Sequence, residues 1–73
     1  MTQQEAQIAM SNNVPILFTD KDGQQYRFKC ITRCNRAKAE LLDNSGRSKM
    51  VVALERIKPI GEINGGKDNV YKN

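Results

Sequence analysis

Few residues in this chain are equipped for chemistry. There is no histidine among its 73 residues, so the commonest general base is missing. The only cysteines are Cys30 and Cys34. On one strand that spacing separates their Cα atoms by ~13 Å, beyond the ~7 Å that a disulfide spans. Two reduced thiols are expected. Neither has an imidazole partner, and Arg33 between them could only lower a thiol pKa. A structural zinc site wants four ligands, so two cysteines could supply one only if it were shared between subunits. Asp20 and Asp22 precede Gly23 as turn formers rather than as a catalytic pair, and Gly46 and Gly65-Gly66 match no phosphate-binding loop. The expectation is a protein that is not an enzyme and carries no metal or cofactor.

Positive charge is more plentiful: twelve Lys plus Arg against eight Asp plus Glu, a formal +4. Its placement is uneven. Between Gly23 and Ala39 stand Arg27, Lys29, Arg33, Arg36 and Lys38 with no acid, and Arg47 and Lys49 follow. Such a patch can neutralise phosphates and release counterions, and Arg can fork onto phosphate or stack on a base. These seven residues are the candidate nucleic-acid contacts, with RNA slightly ahead of DNA. The same charges also suit a solvated strand face that discourages edge aggregation, or a protein-interaction module docking on an acidic surface of a larger partner. Tyr26 and Phe28 are expected to point inward, which favours grip on the backbone over base stacking.

The elements that must carry these residues follow from pattern. Thr2-x-x-Glu5 has the form of a capping box, so a short helix over about residues 3–11 is expected, stopped before Pro15. Val14–Thr19 reads as a first strand, and Asp20-Lys21-Asp22-Gly23 as a hairpin turn. Gln24–Thr32 is a second strand by alternation, Arg33–Arg36 a turn, and Ala37–Leu42 a third strand. Asp43-Asn44-Ser45-Gly46 turns the chain again. Arg47–Leu54 is a fourth strand, Glu55-Arg56 a corner with one 3₁₀ turn, and Ile57–Ile60 a short fifth strand. Three segments result: a helix and linker over 1–13, a small β-barrel domain over 14–60, and a flexible tail over 61–73.

Register can be tested on paper. With Cys34-Asn35 at a hairpin tip, Tyr26, Phe28, Cys30 and Thr32 oppose Asp43, Leu41, Ala39 and Ala37 on one mostly apolar face. The five cations of the stretch then share the other face with Ile31, Leu42, Val51 and Ala53. Placing Leu42 opposite Arg47 sets Ala37, Ala39 and Leu41 against Val52, Met50 and Ser48. It also aligns Lys29, Glu40 and Lys49 in a charge ladder. Five short strands with tight turns suit a small closed barrel, which removes exposed edges. A chain this short buries only ~60% of its unfolded surface, so self-association into a homo-oligomer is expected. No apolar run approaches the ~18 residues of a membrane span, and the first residues lack the pattern of a leader. A cytoplasmic location without membrane contact is the expectation.

The order of a short helix and five strands with a short last one resembles the Sm-like barrel, a relative of SH3-like barrels. Within it, the chain resembles the Hfq family of bacterial RNA chaperones. Val14-Pro15 and Asp22-Gly23 stand at the separation of that family's Val-Pro and Asn-Gly. Leu41-Leu42-Asp43-Asn44 looks like its Leu-Leu-Lys-Asn, and Met50-Val51 like its Met-Val. The similarity spans about residues 3–60, with two extra residues before Leu41. It implies an oligomeric RNA-binding barrel. The family's glycine in strand 2 is replaced here by Phe28, and its Lys-His signature before the last strand has no counterpart in Val52–Ile57. Val52-Ala53-Leu54-Glu55-Arg56-Ile57 also resembles the closing strand of plasmid-encoded type II dihydrofolate reductases. Their active Gln-Ile-Tyr run is absent, since Ser48-Lys49-Met50 stands in its place.

Overall fold

Residues 1–61 are described by the computed structural model. The expected tail over 61–73 lies, beyond Gly61, outside the described residues. The N-terminal helix α1 spans Gln3–Ser11. Its capping box is closed on both sides: the Glu5 amide donates to Thr2 Oγ1 at 3.1 Å, and the Thr2 amide donates to Glu5 Oε1 at 2.8 Å. Two of the four amides that open every helix without a partner are satisfied this way. The helix stops because Asn13 takes a left-handed conformation at φ 54°. The Val14 amide then returns to Ala9 O and the Asn13 amide to Met10 O, the pairing of a Schellman cap. Val14 is thereby buried and Ala6 and Ala9 form the inner stripe of the helix, which packs on β3.

Six strands follow among the described residues: β1 Ile16–Thr19, β2 Gln25–Phe28, β3 Cys30–Cys34, β4 Lys38–Leu42, β5 Lys49–Ala53 and β6 Ile57–Pro59, with a 3₁₀ turn at Leu54–Arg56. They form two antiparallel three-stranded sheets, ordered β2-β1-β6 and β3-β4-β5. The fold is mainly β with one short helix. It departs from the expected five-stranded barrel in two ways. The expected second strand is broken at Lys29, so that β2 pairs in one sheet and β3 in the other. Among the described residues, no ladder joins the two sheets into a closed barrel. Ala6, Ala9, Val14, Ile16, Ile31, Ala39, Leu41, Val52, Leu54 and Ile57 form a core drawn from the helix and both sheets.

The first hairpin follows the expected turn. Gly23 N–H donates to Asp20 O at 3.0 Å, Gly23 sits at φ +84°, and Thr19 comes opposite Gln25. The second hairpin does not. Its tip is Arg36-Ala37, because Asn35 Oδ1 accepts from the amides of Ala37 and Lys38, both at 2.8 Å, and the Asn35 amide donates to Lys38 O. Cys30 therefore opposes Leu42 and Ile31 opposes Leu41. Beyond a bulge, Arg33 opposes Glu40 and Cys34 opposes Ala39. The bulge moves one residue out of the alternation, which lets Ile31 and Cys34 face the same side. Ile31, expected outside, is 2% exposed in the core. Thr32, expected inside, donates from Oγ1 to Glu40 O and Oε1 instead. The β4–β5 register is displaced by two residues from the expected one, with Glu40 opposite Val51 and Leu42 opposite Lys49. An even displacement preserves the faces, so Ala39, Leu41 and Val52 are buried as expected.

Candidate nucleic-acid interface

All seven candidate cations, Arg27, Lys29, Arg33, Arg36, Lys38, Arg47 and Lys49, are exposed. They do not share one hairpin face, because β2 and β3 belong to different sheets. Residues directly opposite across a ladder lie on the same face, which sorts them. Arg33 opposes Glu40, Lys38 opposes Ala53 and Lys49 opposes Leu42. The three cations thus share the outer face of β3-β4-β5 with Glu40. Only part of the expected ladder forms. Lys49 Nζ reaches Glu40 Oε1 diagonally at 3.9 Å, the one salt bridge among the described residues, and Lys29 takes no part. A pair this exposed contributes little to stability. A shallow hollow of about 230 Å³ opens on this face between Arg33, Lys38, Glu40 and Val51.

A second group gathers at the bend between the sheets. Arg27 opposes Leu17 on the outer face of β2-β1-β6, and Lys58, on β6, opposes the same Leu17 from the other side. Arg27 and Lys58 therefore flank it. The Lys29 amide donates to Leu42 O at 2.8 Å, which ties the bend to β4. The turn bearing Arg47 is held against β2 by Asn44 Nδ2, which donates to Arg27 O at 3.2 Å. Asp43 sits in this turn, and its carboxylate accepts from Ser45 Oγ and from the Ser45 amide. Those bonds, the hydroxyl first, hold its carboxyl below the usual range, since hydrogen bonds to the charged form favour it. Arg36 stands apart at the other end of the sheet, around a hollow shared with Glu5 and Glu55.

Lys58 was not among the sequence candidates. Its exposure was readable from the alternation of Ile57-Lys58-Pro59, but its place beside Arg27 follows from the pairing of β6 with β1, some forty residues away in the chain. Tyr26 is a correction. The ring lies on the inner face of its sheet, opposite Phe18, but at the uncovered end of β2, and 46% of it is exposed. Phe18 stacks behind it at 6.0 Å and 25°, and Phe28 meets Phe18 edge-on at 6.4 Å. The Tyr26 hydroxyl donates to Asp20 Oδ2 at 3.2 Å, and this bond, reinforced by the Asp20 charge, raises its pKa. The thiols of Cys30 and Cys34 are free, the first buried and the second half-buried. Among the described residues no three acids or cysteines gather as a metal cluster, and no helix is long and apolar enough to cross a membrane.

No family model matches this chain, and no curated protein or solved structure resembles it significantly.

Proposed function

We propose that this protein is a small nucleic-acid-binding module that grips phosphates non-specifically, RNA slightly ahead of DNA. The carrying observation is the sorting of charge by register. Arg33, Lys38 and Lys49 share one exposed sheet face with a single acid, Glu40. Arg27, Lys29 and Arg47 adjoin it at the bend and turn, where Asp43 is already engaged by its own turn. Arg36, which lines a separate hollow with Glu5 and Glu55, is left out of the contact set. The same reading takes the two sheets as halves of a small Sm-like or SH3-like barrel acting as an oligomer in the cytoplasm. Its support is the continuous chain that passes from one sheet to the other at Lys29.

The test is fluorescence anisotropy of labelled single-stranded RNA and DNA over a range of salt. Each phosphate neutralised on a single strand contributes about −0.7 to the slope of log K against log salt. Arg27→Ala with Lys29→Ala should therefore flatten the slope by about one and a half, with little change in fold. Absence of binding to both polymers at low salt would reject the reading in favour of a module that docks on protein.

A further inference from the structure

Each sheet has two outer strands, and three of the four carry, past their first residue, a feature that resists pairing with another chain. β2 carries Arg27, β3 carries a bulge and Arg33, and β6 carries Lys58 and Pro59, whose nitrogen has no proton. These are the usual means by which natural proteins blunt a sheet edge. β5 is the exception. After Lys49 it runs Met50-Val51-Val52-Ala53, uncharged, β-branched at its centre and free of bulge or proline. Among the described residues it pairs with β4 alone, so its other edge presents unused amides and carbonyls.

The side chains beside that edge are also uncovered. Val51 is 59% exposed on the outer face and Met50 is 38% exposed on the inner one. A groove of about 450 Å³ runs between β5 and the end of β1, floored by Phe18, Met50 and Ala53. Its charged lining is Asp20, Lys21 and Arg56. Asp20 is committed elsewhere: Oδ1 accepts from the amides of Asp22 and Gln24, and Oδ2 from the Tyr26 hydroxyl. The charges left to a ligand are therefore both positive.

We propose that β5 accepts an extended peptide segment of a protein partner as a fourth strand of its sheet, apolar at its centre and acidic at its ends. Main-chain bonds to the free edge supply affinity, and the alternation of side chains supplies selectivity. The apolar centre lies over Phe18 and Met50 on one side and Val51 on the other. Acidic ends meet Lys21 and Arg56. Five residues of β5 span about 17 Å, enough for an added strand of similar length. A second copy is a poorer occupant. Its own free edges bring Arg27, Arg33 or Lys58 toward a positive rim, and pairing β5 with itself brings two such rims together. This site borders the phosphate-binding face at Val51, but its edge bonds and its groove over Phe18 and Met50 do not depend on that face.

Selection of a displayed random peptide library against the full chain supplies the probe, and an enriched peptide is then made synthetically. The expected peptides have a β-branched uncharged centre with Asp or Glu on both flanks. In ¹⁵N spectra of the full chain the peptide should shift Phe18 and Met50–Ala53 and slow amide exchange along β5. Lys21→Glu with Arg56→Glu should weaken binding about five- to tenfold at low salt and favour a peptide whose acids are replaced by Lys. Val51→Lys should abolish binding while circular dichroism stays unchanged. Arg27→Ala with Lys29→Ala should leave peptide affinity intact, which separates this site from the nucleic-acid reading. The proposal is overturned if the library yields no binder, if shifts fall on the Arg33 and Lys38 face, or if the double charge reversal changes nothing. It is equally overturned if sedimentation shows a peptide-free dimer whose β5 amides are already protected.

Discussion

Single residues decide how this small chain holds its ends and turns. Thr2 closes a reciprocal cap with Glu5. Thr2→Ala should cost about 1 kcal/mol, read as a lower urea midpoint with unchanged m-value. The Glu5 carboxyl is held below its ordinary pKa chiefly by the Thr2 amide, as that of Asp43 is by the Ser45 hydroxyl. A carboxylate with a lowered folded pKa stabilises above its unfolded pKa and loses that contribution as pH falls through the folded value. Both contributions are therefore in place at neutral pH and are lost as the pH falls below about 4. Tyr26 works in the opposite sense. Its raised pKa means that the neutral phenol, donating to Asp20, stabilises below about pH 10, and this contribution is lost as pH rises through the raised value. Tyr26→Phe should remove that part of the alkaline loss, so the fall in urea midpoint between pH 8 and 11 should be smaller in the variant than in the parent.

At the scale of elements, the bulge in β3 is the decisive feature. It puts Ile31 into the core and sends Thr32 outward to Glu40. Ile31→Ala should cost about 2–5 kcal/mol, the range for a buried aliphatic truncation. Met50→Ala, on the same inner side of the sheet but 38% exposed, should cost well under half of that. Thermal melts of the two variants give the comparison, and equal losses would contradict the burial pattern. The turns at Asp20–Gly23 and Asp43–Gly46 were legible because their preferences are local: an Asp side chain bonds the following amides, and glycine takes positive φ without strain. The middle hairpin misled because Asn35 starts a turn two residues later than a tip at Cys34-Asn35 requires. Asn35 Oδ1 captures two amides, and the tip moves to Arg36-Ala37.

At the scale of the whole molecule, the basic face of β3-β4-β5 and the uncovered apolar edge of β5 meet at Val51, and the salt titration and the peptide selection each probe one of them. Much of the layout was written in the sequence. The helix limits, the outer turns, the buried face of Ala39, Leu41 and Val52, the 3₁₀ corner and the exposure of every candidate cation follow from caps, alternation and hydration of charge. These are local preferences, acting between residues close in the chain. The tertiary structure decided what depends on distant pairings. The break at Lys29 divides one alternating segment between two sheets, and so parts Arg27 from Arg33. The pairing of β6 with β1 brings Lys58 beside Arg27. The same arrangement leaves Tyr26 beyond the cover of the core and, among the described residues, β5 without a neighbour on its outer side. Strand order and sheet edges are set by contacts across the chain, and an alternation of period two is the same whichever strand comes to lie alongside.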